Sequence, residues 1–439
     1  MYLLSTFART YPKLTILLIL YLVCIAYFLS QQNNTDEEKK EFFEKQNKEI
    51  LPSYKRPSLP IQSYSFYEPP SRTFQVPPFT VPYVLTHVWI PRELKIIVFV
   101  QGIDVVTNIG YCVVGHQTLK RILQQNYVYE CLFQSHRQAR SLDSQLVTLK
   151  THEKILLPTL TKFRYSLPKP KPLTPKHFLC AVTQIVNKSL DLEDWLIYHK
   201  KLGIEYFFLY DNDSKDNTTD ILKLPTFNEY VQMFYWPWIK SQKHAFVHAK
   251  LLTDSLCEWT LFFDVDEYIY VRQCSALNCL SKLLTNLTQN VGQICFKSKV
   301  FGSSGHIRRP VNGTVVDNYI HRSDARHIYE KHGKCAVKTH YAKLHSTIHE
   351  FIMDKRYHTT VLQPTVALLN HYKLKSWEDF MQKYFRRNNM PDWAIPANFS
   401  VNNPPLDWKF GHPKAYEFNL TTKDTAFRDF RKKFDKILL

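Results

Sequence analysis

Residues 177–210 read HFLCAVTQIVNKSLDLEDWLIYHKKLGIEYFFLY. His177 to Val186 is a run of apolar and β-branched residues, which is typical of a buried strand. Leu192 to Leu202 repeats apolar residues at the spacing of an amphipathic helix, and Gly203 stands where a helix commonly ends. Ile204 to Tyr210 is again an apolar strand. A strand, a helix and a second strand in this order predict a parallel βαβ unit.

The alternation continues beyond this unit. We expect further strands at Tyr230 to Trp236 and Trp259 to Phe263, with a helix at His244 to Cys257 between them. The fold class is therefore α/β, with a mostly parallel sheet flanked by helices. Ligands bind to such sheets beyond the carboxyl ends of the strands, so the polar residues that directly follow each strand are candidates for a functional site.

One polar loop, YDNDSKDNT at 210–218, directly follows the second strand and contains three carboxylates. Two interpretations stay open. The loop could be an Asx-rich turn in which Asp216 or Asn217 caps the following helix. Alternatively, a carboxylate of this loop could accept hydrogen bonds from the base and ribose of a nucleoside.

A second acidic group, Asp264-Val-Asp266-Glu267, follows the apolar strand that ends at Phe263. Two carboxylates beside diphosphate oxygens suit a hard divalent cation, Mg²⁺ or Mn²⁺. Three acids packed against a core without counter-charge are costly, so we favour a metal site over a simple acidic turn. His371 follows another short apolar strand, in ALLNHYKLKS at 367–376, and is expected to reach the same pocket.

Composition excludes several classes of protein. The chain has 439 residues and 44% hydrophobic residues, so it is not wholly disordered. It carries 57 basic and 39 acidic side chains, a formal charge of +18, which indicates acidic partners such as nucleic acid, anionic lipid or nucleotide diphosphates. Neither G-x-G-x-x-G nor the P-loop pattern occurs. The basic residues are spread along the chain rather than grouped with aromatic residues, which argues against nucleic-acid binding.

The N-terminal region predicts a membrane anchor. Leu14 to Leu29 is an uncharged apolar run, and Arg9 and Lys13 precede it. The run is short for a spanning helix of about 20 residues, and a cleaved signal peptide is the alternative. The only small-x-small pattern lies inside the apolar run, so we favour a signal anchor with its N-terminus in the cytosol. The rest of the chain is then lumenal.

Sequons and cysteines agree with a lumenal location. Eight cysteines follow the anchor, which predicts up to four disulfides whose pairing the sequence leaves open. Sequons occur at Asn33, Asn187, Asn212, Asn217, Asn286, Asn312, Asn398 and Asn419. A glycan in the candidate nucleoside loop would block it, so we expect Asn212 and Asn217 to stay empty and Asn286 and Asn398 to be better acceptors.

The predicted organisation has five parts. Residues 31–82 are polar and then rich in proline, as in an extended stem, and residues 83–165 contain short β-favouring runs. A proline-rich segment at 166–176 then marks a boundary. The parts are a cytosolic tail at 1–13, a transmembrane anchor at 14–30, a stem at 31–82, a β-rich module at 83–165 and the α/β domain at 172–439.

Four sequence blocks, in their order and spacing, resemble glycosyltransferase family 92. They are the stretch from Phe178 through the loop at 210–218, then QKHAFVHA at 242–249, FFDVDEY at 262–268 and NHYKLKS at 370–376. The resemblance covers roughly residues 177–390. It implies a GT-A fold, an inverting reaction, a nucleotide-sugar donor (UDP-galactose in the best-known members) and residence in the Golgi membrane as a single-pass type II protein.

The resemblance also implies roles for individual residues. Asp211 and Asp216 would lie at the nucleoside, and His248 would face the donor sugar. Asp264 and Asp266 would hold the Mn²⁺–diphosphate, with His371 as the third protein ligand.

The expected chemistry needs two further groups. Lys373 or Lys375 could assist the departure of UDP, and a carboxylate base must deprotonate the acceptor hydroxyl. Glu350 is a candidate base, and a surface glutamate is the competing interpretation. The leading functional prediction is a metal-dependent galactosyltransferase with a glycan or glycoprotein acceptor. The alternative is a lumenal carbohydrate-binding protein that has kept the GT-A shape without turnover.

Overall fold

The structure is a computed structural model of the chain. It describes residues 82–101, 109–125, 127–168, 174–287, 290–322, 330–387 and 420–437. All of these residues belong to one compact unit, Tyr64–Leu439, whereas the unit Met1–Ser63 lies wholly outside them. The predicted tail, the anchor and all but the last residue of the stem therefore lie outside the described residues. No helix within the described ranges is both long enough and apolar enough to cross a membrane.

The strands are β1 Tyr83–Ile90, β2 Lys95–Gln101, β3 Ile109–Val114, β4 Gln117–Gln125, β5 Val128–Leu132, β6 Val147–Thr151, β7 His177–Ile185, β8 Tyr206–Asp211, β9 Val231–Tyr235, β10 Cys257–Phe262, β11 Glu267–Val271, β12 Val291–Val300, β13 His321–Arg322, β14 Glu330–Val337, β15 Ala342–Ser346, β16 Phe351–Met353, β17 His358–Val361, β18 Ala367–His371 and β19 Thr422–Lys423. The helices are α1 His136–Ser141, α2 Leu192–Lys201, α3 Thr218–Ile221, α4 Pro225–Asn228, α5 Gln242–Thr253, α6 Cys279–Thr285, α7 Val315–Asn318, α8 Trp377–Arg387 and α9 Ala426–Phe434.

The first six strands form one antiparallel sheet in the order β1-β2-β5-β4-β3-β6. Its core contains Trp89, Phe133 and Phe163, whose rings contact one another. The predicted β-favouring runs are confirmed as β1, β2, β3 and β5. β4 and β6 were not predicted, and in β4 the reason is that QTLKRILQQ lacks an apolar alternation.

The second sheet has nine strands in the order β11-β18-β12-β14-β10-β7-β8-β9, with β17 also paired to β12. The β7·β8, β8·β9, β7·β10, β12·β17 and β12·β18 pairs are parallel. β14 runs antiparallel to both of its neighbours, and β11 runs antiparallel to β18. The sheet is thus mixed, and its parallel strands end at one common edge.

Helix α2 covers this sheet as the opening stretch predicts. It buries Trp195, Leu196 and Tyr198 in the large hydrophobic core. Gly203 follows its last turn with φ of +108°, a conformation that favours glycine because other residues have a Cβ. A Cβ at this position would collide with the Ser281 side chain, so space as well as backbone conformation favours glycine.

All eight cysteines beyond the predicted anchor form disulfides, so the expected number is confirmed. The pairs are Cys112–Cys131, Cys180–Cys257, Cys274–Cys279 and Cys295–Cys335. Cys180–Cys257 links the neighbouring strands β7 and β10, and Cys295–Cys335 links β12 to β14. Two disulfides therefore cross-link neighbouring strands of the second sheet.

Candidate functional site

The acidic group after β10 lies at the carboxyl edge of the second sheet. Asp264 and Glu267 close a tight turn, in which the Glu267 N–H donates to the Asp264 carbonyl at 3.0 Å and the Asp264 N–H donates to Glu267 Oε2 at 2.7 Å. β18 pairs with β11 in a register that sets His371 opposite Glu267. His371 Nε2 consequently lies 3.6 Å from Asp266 Oδ1. The fold thus brings Asp264, Asp266 and His371 to one place.

Two lysines that sequence reasoning missed neutralise these acids. Lys334, on β14, places its buried ammonium 3.0 Å from Asp264 Oδ2 and 3.9 Å from Glu267 Oε2. Lys383, on α8, lies 3.0 Å from Asp266 Oδ2. Lys334 stands just before the apolar end of β14, in EKHGKCAV, and no local pattern in the sequence links it to Asp264.

The pKa values of the three acids follow from burial and these cations. Burial acts to raise the pKa of Asp264, but Lys334 outweighs it and the pKa is lowered. Burial is likewise outweighed at Asp266, whose pKa is held well below its usual range by Lys383 and His371. Glu267 is the most enclosed of the three, and burial raises its pKa to about 7. Two ionised aspartates therefore stand beside a carboxyl group that is easily protonated.

Carboxylates and an imidazole are suitable donors for Mn²⁺, so the residue types fit a divalent cation. In this structure Asp264, Asp266 and His371 are not arranged as a metal centre. Among the described residues, no three histidine, cysteine or acidic side chains are gathered closely enough to hold a metal ion. In this conformation Lys334 and Lys383 each occupy one oxygen of an aspartate. A cation that enters must compete with these ammonium groups.

The contacts of Asp216 and Asp211 bear on the two interpretations of the loop after β8. Asp216 accepts hydrogen bonds from the Thr218 N–H at 3.1 Å and the Ser189 N–H at 3.0 Å, as in an Asx turn, whereas Asn217, the N-cap residue of α3, makes no side-chain cap hydrogen bond. Burial acts to raise its pKa, but these hydrogen bonds lower it. Asp211 is fully buried and accepts from the Ser214 N–H at 3.0 Å. The Asp216 carboxylate thus links the loop after β7 to the loop after β8.

His248 is placed differently from the expectation. Its ring is fully buried on α5, and Nδ1 lies 2.7 Å from the Tyr210 hydroxyl. Aromatic rings of Phe99, Phe234 and Trp236 surround it. Burial lowers its pKa to about 3. A donor sugar has no access to this ring in this conformation, and the placement is that of a neutral core histidine.

The predicted lysines and base occupy three different settings. Lys375 is buried and ion-paired with Asp191, so its charge is already matched. Lys373 is half-buried, and its carbonyl accepts from Lys383 Nζ at 3.4 Å. Glu350 is exposed, and its carboxylate makes no hydrogen bond or ion pair with the described residues. Its turn, 347–350, is nevertheless fixed to the acidic group, because Lys334 Nζ donates to the Ile348 carbonyl at 2.9 Å.

A cavity of about 390 Å³ opens beside this edge, where none was predicted. Its charged wall is formed by Asp191 and Arg309, which are ion-paired with each other, and by Asp194. The exposed side chains of Leu190 and Val311 add apolar surface. The cavity therefore offers charged and apolar groups together, close to the first turn of α2.

The β-rich module contacts the same region through α5. His244 Nε2 lies 2.8 Å from the Val100 carbonyl, and the Tyr127 hydroxyl donates to the Lys243 carbonyl at 3.3 Å. The first residue of α5, Gln242, donates from Nε2 to Asp264 Oδ1 at 2.6 Å. One end of a single helix thus connects the module to the acidic group.

Comparison with known proteins gives a consistent result. A family model described as glycosyltransferase family 92 matches residues 176–402, which is more than half of the chain. Glycosyltransferase family 92 protein At1g27200 of Arabidopsis thaliana is 32% identical over 277 residues, covering 58% of this chain and 47% of that protein. Glycosyltransferase family 92 protein Os08g0121900 of Oryza sativa subsp. japonica is 29% identical over 282 residues, covering 61% and 47%. The chain spans about half the length of the curated relatives it matches.

Solved structures are more distant. The crystal structure of S. aureus TarS 1-349 is 13% identical with a TM-score of 0.28, covering 51% of this chain and 67% of that one. Glucosyl-3-phosphoglycerate synthase from Mycobacterium tuberculosis, in complex with phosphoglyceric acid, is 14% identical with a TM-score of 0.20, covering 32% and 47%. TM-scores this low do not establish a common fold.

Proposed function

The chain belongs to glycosyltransferase family 92, and from this membership we propose that it is a metal-dependent, inverting glycosyltransferase with a GT-A-type fold. The proposed reaction transfers galactose from UDP-galactose to a hydroxyl group of a glycan or glycoprotein. One observation carries the proposal: Asp264, Asp266 and His371 meet beyond the carboxyl ends of β10 and β18, where α/β sheets bind ligands.

The donor would lie along this edge, between two sets of residues. The loops after β7 and β8, which are bonded to each other through Asp216 and Ser189, would receive the nucleoside, with Asp211 beside it. The diphosphate would lie toward Asp264 and Asp266. The formal charge of +18 favours an anionic substrate of this kind.

A divalent cation, Mn²⁺ or Mg²⁺, would be held by the D-x-D pair Asp264 and Asp266, together with His371. It would neutralise the charge that develops on the departing nucleoside diphosphate. Before it binds, Lys334 and Lys383 keep both aspartates ionised, as the lowered pKa values of those aspartates indicate. The chain thereby holds two anionic ligands ready in a buried site.

The proposed reaction balances as a single displacement. The acceptor oxygen attacks the anomeric carbon of galactose, the bond from that carbon to the UDP oxygen breaks, and the hydroxyl proton passes to a base. Glu350 is the proposed base, because its exposed carboxylate is available and its turn is fixed to Lys334. Attack opposite to the departing group inverts the anomeric configuration.

The proposed location is the Golgi membrane, with residues 14–30 as a type II anchor and the catalytic domain in the lumen. Four disulfides support an oxidising compartment. The basic residues that precede the apolar run support the orientation.

The proposal is tested by incubating the full-length chain with a panel of nucleotide sugars, each with Mn²⁺, Mg²⁺ or a chelator. We expect UDP release from UDP-galactose only with a cation, and a product of inverted configuration by NMR when an acceptor is present. Glu350→Gln should lose transfer, whereas Asp354→Asn, a nearby partly exposed acid, should not. Glycan binding without consumption of any nucleotide sugar would contradict the proposal and support a non-catalytic carbohydrate-binding protein.

A further inference from the structure

Lys188 is a cation whose ammonium group has no counter-ion in the described part of the chain. The residue follows β7 and is half-buried. Its backbone is fully used, since its N–H donates to Thr218 Oγ1 at 2.8 Å and its carbonyl accepts from the N–H groups of Asp191 and Leu192. No hydrogen bond or ion pair joins its Nζ atom to any described residue. Burial, followed by the charge of Lys375, lowers its pKa to about 8.

The acids nearest to Lys188 are already matched with other cations. Asp191 is ion-paired with both Lys375 and Arg309. Asp266 is paired with Lys383 at 3.0 Å and lies 3.6 Å from His371. Lys188 therefore adds a positive charge that these groups do not balance. Because a poorly hydrated charge without a partner is costly, this position favours the arrival of an anion.

The position of Lys188 indicates which part of a ligand would meet it. Its backbone is bonded to Thr218, at the end of the loop that begins with Asp211. The positive charge of Lys188 also lowers the pKa of Asp266, which lies at the other end of this edge of the sheet. Lys188 thus lies between the proposed nucleoside end and the proposed cation end of the donor. In a nucleoside diphosphate, the phosphates lie between those two ends.

We propose that Lys188 binds the diphosphate of the nucleotide-sugar donor. This inference rests on the proposed function, and it assigns to Lys188 the part expected from sequence for Lys373 or Lys375. Lys375 is a weaker candidate because Asp191 already holds its ammonium group. The Lys188 ammonium would pair with phosphate oxygens, and a buried charge-assisted hydrogen bond of this kind is among the strong ones.

The test is calorimetry of the full-length chain with uridine, UDP and inorganic pyrophosphate, each with Mn²⁺ and with chelator. Lys188→Met should weaken UDP and pyrophosphate about 10- to 100-fold and leave uridine unchanged, which is the range expected for one charged hydrogen bond. Lys188→Arg should retain most of the affinity because it keeps the charge. The matched control is Lys223→Met, a largely exposed lysine that follows α3 and pairs with Asp220, and it should behave as the wild type.

Thermal melts distinguish a binding role from a folding role. Loss of an unmatched cation should leave the melting temperature of Lys188→Met unchanged or raise it. If the wild type prefers UDP to uridine and Lys188→Met binds UDP as tightly as Lys223→Met does, the role of Lys188 is overturned and the proposed function still stands. A wild type that binds neither UDP nor pyrophosphate would overturn both. Equal weakening of uridine and UDP would also contradict a role specific to the diphosphate.

Discussion

Lys334 on the antiparallel strand β14 donates a hydrogen bond to Asp264 at 3.0 Å, at the end of the neighbouring strand β10. The same ammonium donates to the Ile348 carbonyl at 2.9 Å. β14 thus supplies the counter-charge for Asp264 and fixes the turn that carries Glu350. Because the Lys334 side chain is nearly inaccessible to water, solvent screens its interaction with Asp264 only weakly.

We expect Lys334→Met to destabilise the protein by roughly 3–5 kcal/mol, because removal of the ammonium group leaves the Asp264 carboxylate poorly compensated. The free energy of unfolding is measured with urea at pH 7. Lys282→Met, at an exposed position on α6, is the control and should lie within about 0.5 kcal/mol of the wild type. Equal stability of the two variants would show that the buried pair contributes nothing.

Asp266→Ala should remove Mn²⁺-dependent UDP binding, as expected for a metal ligand. The sequence alone predicts that loss of one carboxylate from an acidic group relieves repulsion and slightly stabilises the protein. The contacts of Asp266 reverse that expectation, because its neighbours are Lys383 at 3.0 Å and His371 at 3.6 Å. We therefore expect a lower melting temperature and a loss of roughly 1–3 kcal/mol. Calorimetry with Mn²⁺ and with chelator, beside thermal melts, checks both parts, and undiminished UDP binding would exclude Asp266 as a ligand.

The strand ends of the candidate site could be predicted from the sequence, whereas the effect of Asp266→Ala on stability could not. The strand before Asp264 and the strand before His371 are recognisable because apolar runs and their polar ends are local features. The Asx-rich turn that contains Asp216 is recognisable for the same reason. The position of His371 beside Asp266 could be expected because both follow strands of one sheet.

The pairing of lysines with these acids depends on distant parts of the chain and had no local signal. Lys334 reaches Asp264 only because β14 enters the sheet antiparallel, between β10 and β12. His248 was misplaced for a related reason. The second sheet and the β-rich module cover α5 from different sides, so the ring that a helix alone would expose is enclosed by Phe99 and Tyr210.

The sequon at Asn212 is expected to remain unglycosylated. Its side-chain amide donates to the carbonyls of Trp236 at 2.8 Å and Trp238 at 2.9 Å, so a glycan on this nitrogen would break the contacts that hold the loop after β9. Asn286 is exposed at the end of α6 and is expected to be occupied. Glycopeptide mapping of secretory-pathway material checks both sites. A fully occupied Asn212 in active protein would contradict this placement.

Acidification should destabilise the contact between the β-rich module and α5. Burial lowers the pKa of His244 to about 4, and its Nδ1 has no hydrogen-bond partner among the described residues. An unfolded histidine has a pKa near 6.5, so the unfolded chain binds the proton more readily between pH 6.5 and pH 4, and the free energy of unfolding falls as the pH falls through that window.

His244→Gln keeps an N–H donor for the Val100 carbonyl and removes the titrating nitrogen. Between pH 7 and pH 5 it should lose about 2 kcal/mol less unfolding free energy than the wild type does. Urea unfolding at the two pH values measures this difference. His116→Gln changes an exposed histidine and should retain the pH dependence of the wild type. The same dependence in His244→Gln would mean that His244 is not the group that titrates.

The β-rich module is expected to support nucleotide binding through α5. Gln101 donates from Nε2 to the Ile239 carbonyl, three residues before Gln242, which in turn donates to Asp264 Oδ1 at 2.6 Å. Without the Gln101 bond the start of α5 is held less firmly, so Gln242 constrains Asp264 less well. Gln101→Ala should therefore weaken Mn²⁺-dependent UDP binding about 5-fold, the effect of one neutral hydrogen bond.

The matched control for Gln101→Ala is Gln117→Ala. Gln117 accepts a hydrogen bond from Gln138 at 2.9 Å, and both partners lie inside the module. The two variants lose comparable hydrogen bonds, but only the first of these bonds reaches α5. Calorimetry with UDP and Mn²⁺, together with urea unfolding, separates an effect on the site from a loss of module stability. Equal UDP affinity in both variants would show that the module does not position Asp264 through this helix, because a bond that positions a ligand must change affinity more than one that only stabilises the module.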